Sequence, residues 1–182
     1  VRQGYIQEHI VELKQELGFV YGRIWSLFCK ENLIDLERDG SYHFSALFQM
    51  LDFMMEHKIT PFLVLAQKPK KLVDPDLKSL LSVNSASPVN LVRYKKVLSR
   101  FMKECICRYG ISEVETWKFE CWWERKDIYI TDVEPEWRER FRMEYDCIKS
   151  LVPKASVGGL GFNIYDANAA VESYLKNGQK EE

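Results

Sequence analysis

The chain has 182 residues, 46% apolar and 29% charged, which suits one domain with a substantial core and excludes a disordered segment. Its 26 basic and 27 acidic side chains leave a net charge of −1, which excludes the basic footprint that phosphate-backbone binding needs. Five cysteines without framework spacing, no apolar run near the ~18 residues of a membrane span and no apolar segment behind Val1-Arg2-Gln3-Gly4 point to a reduced, cytoplasmic protein without disulfide scaffold, membrane anchor or signal peptide. With no initiator Met, the chain reads as a segment excised from a longer one.

Ile6, Ile10, Leu13 and Leu17 recur at helical spacing, and Gly18 then stops the helix. Residues 19–27 predict a strand with Phe19, Tyr21, Arg23 and Trp25 on one face and Val20, Gly22, Ile24 and Ser26 on the other. Residues 32–42 are polar and turn-rich, and a helix is expected over 44–56 with Leu47, Leu51 and Met54 or Met55 inward. Residues 59–66 predict a strand. Pro61 has no N–H to give, so it belongs at the strand's start. Gln67-Lys68-Pro69-Lys70-Lys71 forms the loop at that strand's C-terminal end, and Leu77, Leu80 and Leu81 suit a short helix. Ser87-Pro88 predicts the start of a helix carrying Leu91, Tyr94, Leu98, Phe101 and Cys105, with Gly110 ending it. Cys105 and Cys107 point in different directions on that helix, and no metal or cofactor is expected. A strand over 114–123 follows, then a helix opened by Glu134-Pro135 with Trp137, Phe141, Tyr145 and Ile148 inward. A strand over 155–165 and a helix over 166–176 complete the order. This alternation predicts an α/β fold with a parallel sheet and right-handed crossovers. No GxGxxG or P-loop is present to bind a nucleotide.

The segment Trp117-Lys118-Phe119-Glu120-Cys121-Trp122-Trp123-Glu124-Arg125 carries the strongest signal. Period two puts Lys118, Glu120, Trp122 and Glu124 on one face and Trp117, Phe119, Cys121 and Trp123 on the other. The second face suits a covering helix. The first is charged, as a barrel lumen can be, and a carboxylate at the C-terminal end of such a strand stands where α/β barrels do chemistry.

Several segments resemble the β-xylosidases of glycoside hydrolase family 39. They are Leu13 to Arg23, Leu51-Asp52-Phe53 with Lys58 to Leu65, Arg108-Tyr109-Gly110 with Trp117 to Trp122, and Ile148-Lys149 through Gly158-Gly159. The resemblance implies a partial (β/α)8 TIM barrel, about strands two to five with their helices, over residues 1–178, with 179–182 a frayed tail. It also implies retaining hydrolysis by two glutamates about 5 Å apart. Glu124 aligns with the acid/base of the family's Asn-Glu-Pro, but Trp123 and Arg125 replace its neighbours, and no nucleophile is in reach of the resemblance. Barrels of this kind are also found in AraC-type bacterial transcription regulators, often with degraded catalytic motifs.

The first expectation is therefore a regulator's xylosidase-like barrel, catalytically inactive and sensing or binding a sugar such as a xyloside. DNA would then be reached only through a separate domain. The alternatives are a fragment of a retaining β-xylosidase with Glu124 as acid/base, and a barrel-like interaction module without sugar binding. The ligand-binding candidates are Arg23, Trp25, Gln67, Trp122 and Trp123. Arg23 and Glu120 suit a buried pair between neighbouring strands better than a ligand clamp, and Trp25 and Trp122 suit core packing as well as sugar stacking. Two open sheet edges would favour a homo-oligomer.

Overall fold

The computed structural model describes residues 4–25, 27–28, 43–66, 90–122 and 134–161, with backbone only at 134–137, 160 and 161. Helices and strands alternate in the order α1 (Gly4–Leu17), β1 (Tyr21–Ile24), α2 (Ser45–Glu56), β2 (Thr60–Val64), α3 (Leu91–Tyr109), α4 (Ile111–Val114), β3 (Lys118–Trp122), α5 (Glu134–Leu151) and β4 (Ser156–Gly161). The four strands form one sheet in the order β1-β2-β3-β4, every neighbouring pair parallel. This is the expected α/β arc of a barrel.

Local chemistry sets most boundaries. Gly18 and Gly110 close α1 and α3 with φ of 67° and 83°, donating N–H bonds to Lys14 O and Ile106 O. The expected start of α3 at Ser87-Pro88 is corrected: Asn90 is the N-cap, its side chain accepting the Arg93 N–H at 3.0 Å. β3 begins at Lys118, later than expected, because residues 111–114 first take the helical turn α4. β1 is also shorter than 19–27, although Leu27 N–H still bonds the Val64 carbonyl. Pro61 lies one residue inside β2. Thr60 N–H bonds Val20 on the β1 side and Leu65 N–H bonds Glu120 on the β3 side. Alternation thus points the Pro61 nitrogen toward β3, ahead of that ladder's first pair, Phe62–Lys118.

The core fills the space between the sheet and the helices. Leu47, Leu51 and Met54 of α2 meet Leu63 of β2, Leu98, Phe101 and Cys105 of α3, and Trp117, Phe119 and Cys121 around β3. Each such side chain contributes about 1.5–3 kcal/mol of burial. Gly22 lets α2 approach: a Cβ there would stand 2.7 Å from Met54 Cε and 2.9 Å from Ile59 Cγ2.

Two expected faces are corrected. On α1, Leu13 and Leu17 are exposed, and only Ile10 and Val11 rest against the core. On α5, Tyr145 is exposed, while Arg140, Glu144, Cys147 and Ile148 are buried. Phe141 and Ile148 do face the core as expected, but the buried stripe also carries an ion pair in place of Tyr145. On α3, Cys105 is buried and Cys107 exposed, in the different directions expected. The turn-rich 32–42 segment, the Gln67 loop, the Leu77 helix, the helix over 166–176 and the tail 179–182 lie outside the described residues.

Candidate functional site at the C-terminal ends of the strands

Period two sorts β3 as its sequence demands. Phe119 and Cys121 are buried under the helices, with Trp117 just ahead of them, while Lys118, Glu120 and Trp122 line the opposite, half-open face. Tyr21 and Arg23 of β1 and Phe62 of β2 share that face by register, Arg23 pairing Phe62 and Phe62 pairing Lys118. Trp25 stands one residue past the end of β1.

Arg23 is the hub. Its Nε and Nη2 both donate to Glu120 Oε2, at 3.0 and 2.7 Å. The expected pairing is therefore made, with two corrections. β2 lies between the two strands, so they are not neighbours, and the side chains remain 42% and 18% exposed rather than buried. The guanidinium reaches across Phe62, 5.7 Å from that ring centroid, and also lies 4.9 Å from Trp25 and 5.5 Å from Trp122. The two indoles meet edge to face at 4.5 Å and 76°. Trp122 Nε1 is buried and finds no acceptor among the described residues. An indole N–H out of water without a partner is costly, and an oxygen brought by a ligand would satisfy it. Lower on the same face, Lys118 Nζ donates to Ser156 Oγ at 2.9 Å and lies 5.8 Å from the Tyr21 ring.

The structure therefore brings Arg23, Trp25 and Trp122 into one cluster with Glu120. Gln67, Trp123 and Glu124 lie outside the described residues. Aromatic faces, a charged pair and a dry N–H donor can together hold a ligand with one apolar face and several hydroxyls. Glu120 is engaged by Arg23.

Sequence reasoning missed the polar network behind this cluster. Arg140 Nη2 donates to the Trp122 carbonyl, and Arg140 Nε lies 3.9 Å from Glu144 Oε1. The Tyr94 hydroxyl donates to the same Glu144 oxygen at 2.8 Å. Burial, followed by the Glu144 charge, pushes the Tyr94 phenol well above its usual pKa. A signal existed: Arg140 and Glu144 share a helical stripe with Cys147 and Ile148. Among the described residues, no group of three or more His, Cys, Asp or Glu could hold a metal ion, and no helix is long and apolar enough to cross a membrane.

Known proteins match this architecture. A β-xylosidase of Geobacillus stearothermophilus is 26% identical over 167 residues, covering 84% of this chain and 32% of that protein. A β-xylosidase of Caldicellulosiruptor saccharolyticus is 24% identical over 160 residues, covering 84% of this chain and 33% of that protein. The chain thus spans about a third of the length of the curated relatives it matches. The crystal structure of a monomeric β-xylosidase from Caulobacter crescentus CB15 superposes with a TM-score of 0.77 at 24% identity, over 97% of this chain and 37% of that one. That likeness supports the fold. The sequence model of the glycosyl hydrolases family 39 matches residues 2–181, and on that nearly complete match the chain belongs to this family.

Proposed function

We propose that this chain supplies one wall of the sugar site in a β-xylosidase-like barrel, with Glu124 as acid/base of a retaining hydrolysis. The observation carrying this reading is the cluster at the strand ends: the Arg23–Glu120 pair, the Trp25–Trp122 contact and the acceptorless Trp122 N–H. Continuing period two from Trp122 puts Glu124 on the same face in sequence terms. The relatives described as β-xylosidases favour hydrolysis over the regulator expected first.

A second reading keeps one specific feature in its favour. Trp123 and Arg125 flank Glu124 where the family motif has Asn and Pro, which suits a sugar-sensing barrel that no longer hydrolyses, as in an AraC-type regulator. Aryl β-xyloside turnover by the polypeptide carrying this arc separates the two. The hydrolase reading expects turnover that falls at least about 100-fold in Glu124→Gln, the low end for a lost general acid. Absence of turnover together with heat from millimolar xyloside in calorimetry would select the sensor. Neither turnover nor heat would refute both and leave the interaction module.

A further inference from the structure

We infer that Arg140 is a positioning residue for this site, holding the end of β3 through the Trp122 carbonyl and so fixing where the Trp122 ring stands. The functional part rests on the sugar-site reading above; the positional part does not.

The β3 ladder is irregular at this point. Cys121 pairs with Gly159, but Trp122 pairs with Gly161, so the register slips by one residue between them. The extra residue, Leu160, lies on β4, so the ladder is locally disrupted beside Trp122. On the β2 side, Leu65 N–H takes the Glu120 carbonyl. Two residues on, beyond the end of β2, the Trp122 carbonyl is taken by Arg140. A side chain from the helical layer thus grips the backbone of the residue whose ring enters the cluster.

The support behind Arg140 is rigid. Arg140 is 3% exposed and Glu144 0%, with the fully buried Tyr94 anchoring Glu144 from α3. Stability alone is a poor account of such a group, because well-packed apolar side chains of similar volume often serve as well as a buried ion pair. Apolar side chains could not donate to a carbonyl. The planar, multi-donor guanidinium can face Trp122 and Glu144 together, which a lysine cannot do as well. The ring it positions is held in turn by the edge contact with Trp25 and by Arg23.

The test uses the 15N-labelled chain. It holds five tryptophans, so the indole N–H spectrum is sparse and Trp122→Phe assigns the Trp122 signal. Trp117, whose Nε1 donates to Glu113 Oε1 at 3.2 Å, serves as internal control. In Arg140→Met the Trp122 signal should shift or broaden while that of Trp117 stays. Arg140→Lys should recover part of the native position. Methyl β-xyloside affinity should fall roughly tenfold or more as the ring is misplaced. A Trp122 signal unmoved in a folded Arg140→Met chain, whatever happens to melting, overturns the inference. If that variant does not fold, Arg140→Met combined with Glu144→Gln, which leaves no unpaired buried charge, decides in the same way: an unmoved Trp122 signal overturns it. A moved signal in a chain that binds no xyloside even when native upholds the positioning and refutes the sugar-site reading.

Discussion

Among the described residues an arginine, a carboxylate and a tyrosine meet in two places, once in water and once buried. At the lower ends of α2 and α3, Arg108 grips Asp52 through Nε and Nη2 at 2.7 and 2.5 Å, and the Tyr109 hydroxyl adds a bond at 2.8 Å. At the upper ends of α3 and α5, Arg140, Glu144 and Tyr94 repeat the set with a looser ion pair of 3.9 Å. The first pair is 51% and 39% exposed; the second is 4% and 0% exposed. The tighter of the two ion pairs therefore lies where water screens it, and the looser where losing a partner costs the full desolvation of a buried group. Good geometry is a weak guide to which network matters. Burial decides, because it sets the cost of removing one member.

That contrast can be broken by measurement, beginning with its largest expected effect. Glu144→Ala takes the carboxylate from beside the buried Arg140 and should destabilise by about 3–5 kcal/mol in urea unfolding. A loss no larger than that of the exposed network would end the distinction. Tyr94→Phe removes one bond to a charged acceptor and should cost about 1.5–3 kcal/mol by the same method. Asp52→Asn should lower the melting temperature by no more than about 3 °C, and the difference should shrink in high salt.

The smallest effects are at the pH extremes. Arg108, by hydrogen bonding, holds the Asp52 carboxyl below its ordinary value, so its contribution is complete above about pH 4 and is lost as pH falls through the native pKa. Tyr94 is shifted the other way. Its contribution is complete below about pH 10 and is lost as pH rises toward the native pKa, because only the unfolded phenol then ionises readily. The advantage of the native chain over Tyr94→Phe should accordingly narrow above that pH. A constant difference would show that Tyr94 ionises alike in both states.

What the sequence disclosed follows the same line. The faces of β3 were legible because period two admits no compromise: Phe119 and Cys121 had to go under the helices if Glu120 and Trp122 faced the lumen. The inward face of α2 was legible for the same reason. α5 was misread in part because its buried stripe carries Arg140 and Glu144, which hydrophobicity assigns to solvent; partners such as Tyr94 and the Trp122 carbonyl help make their burial tolerable, and those are distant in sequence. α1 was misread because an amphipathic stripe says which side is apolar and not how much core awaits it, and Leu13 and Leu17 meet none among the described residues. The Arg23–Glu120 pair could be guessed from charge, but that it spans β2 depends on strand order and stagger, which no local pattern encodes. For Gln67, Trp123 and Glu124 the reading remains that of the sequence, since they lie outside the described residues.

Pro61 has a consequence for how the sheet assembles. A parallel strand that slips by one residue turns its apolar side chains to the wrong face and is rejected at once. A slip of two residues keeps every side chain on its proper face, so hydrophobic patterning cannot detect it. Were β3 to slide two places toward the start of β2, one of its carbonyls would come to rest opposite the Pro61 nitrogen and find no donor there. The proline thus penalises a two-residue slip in that direction, a misalignment that hydrophobic patterning alone would accept.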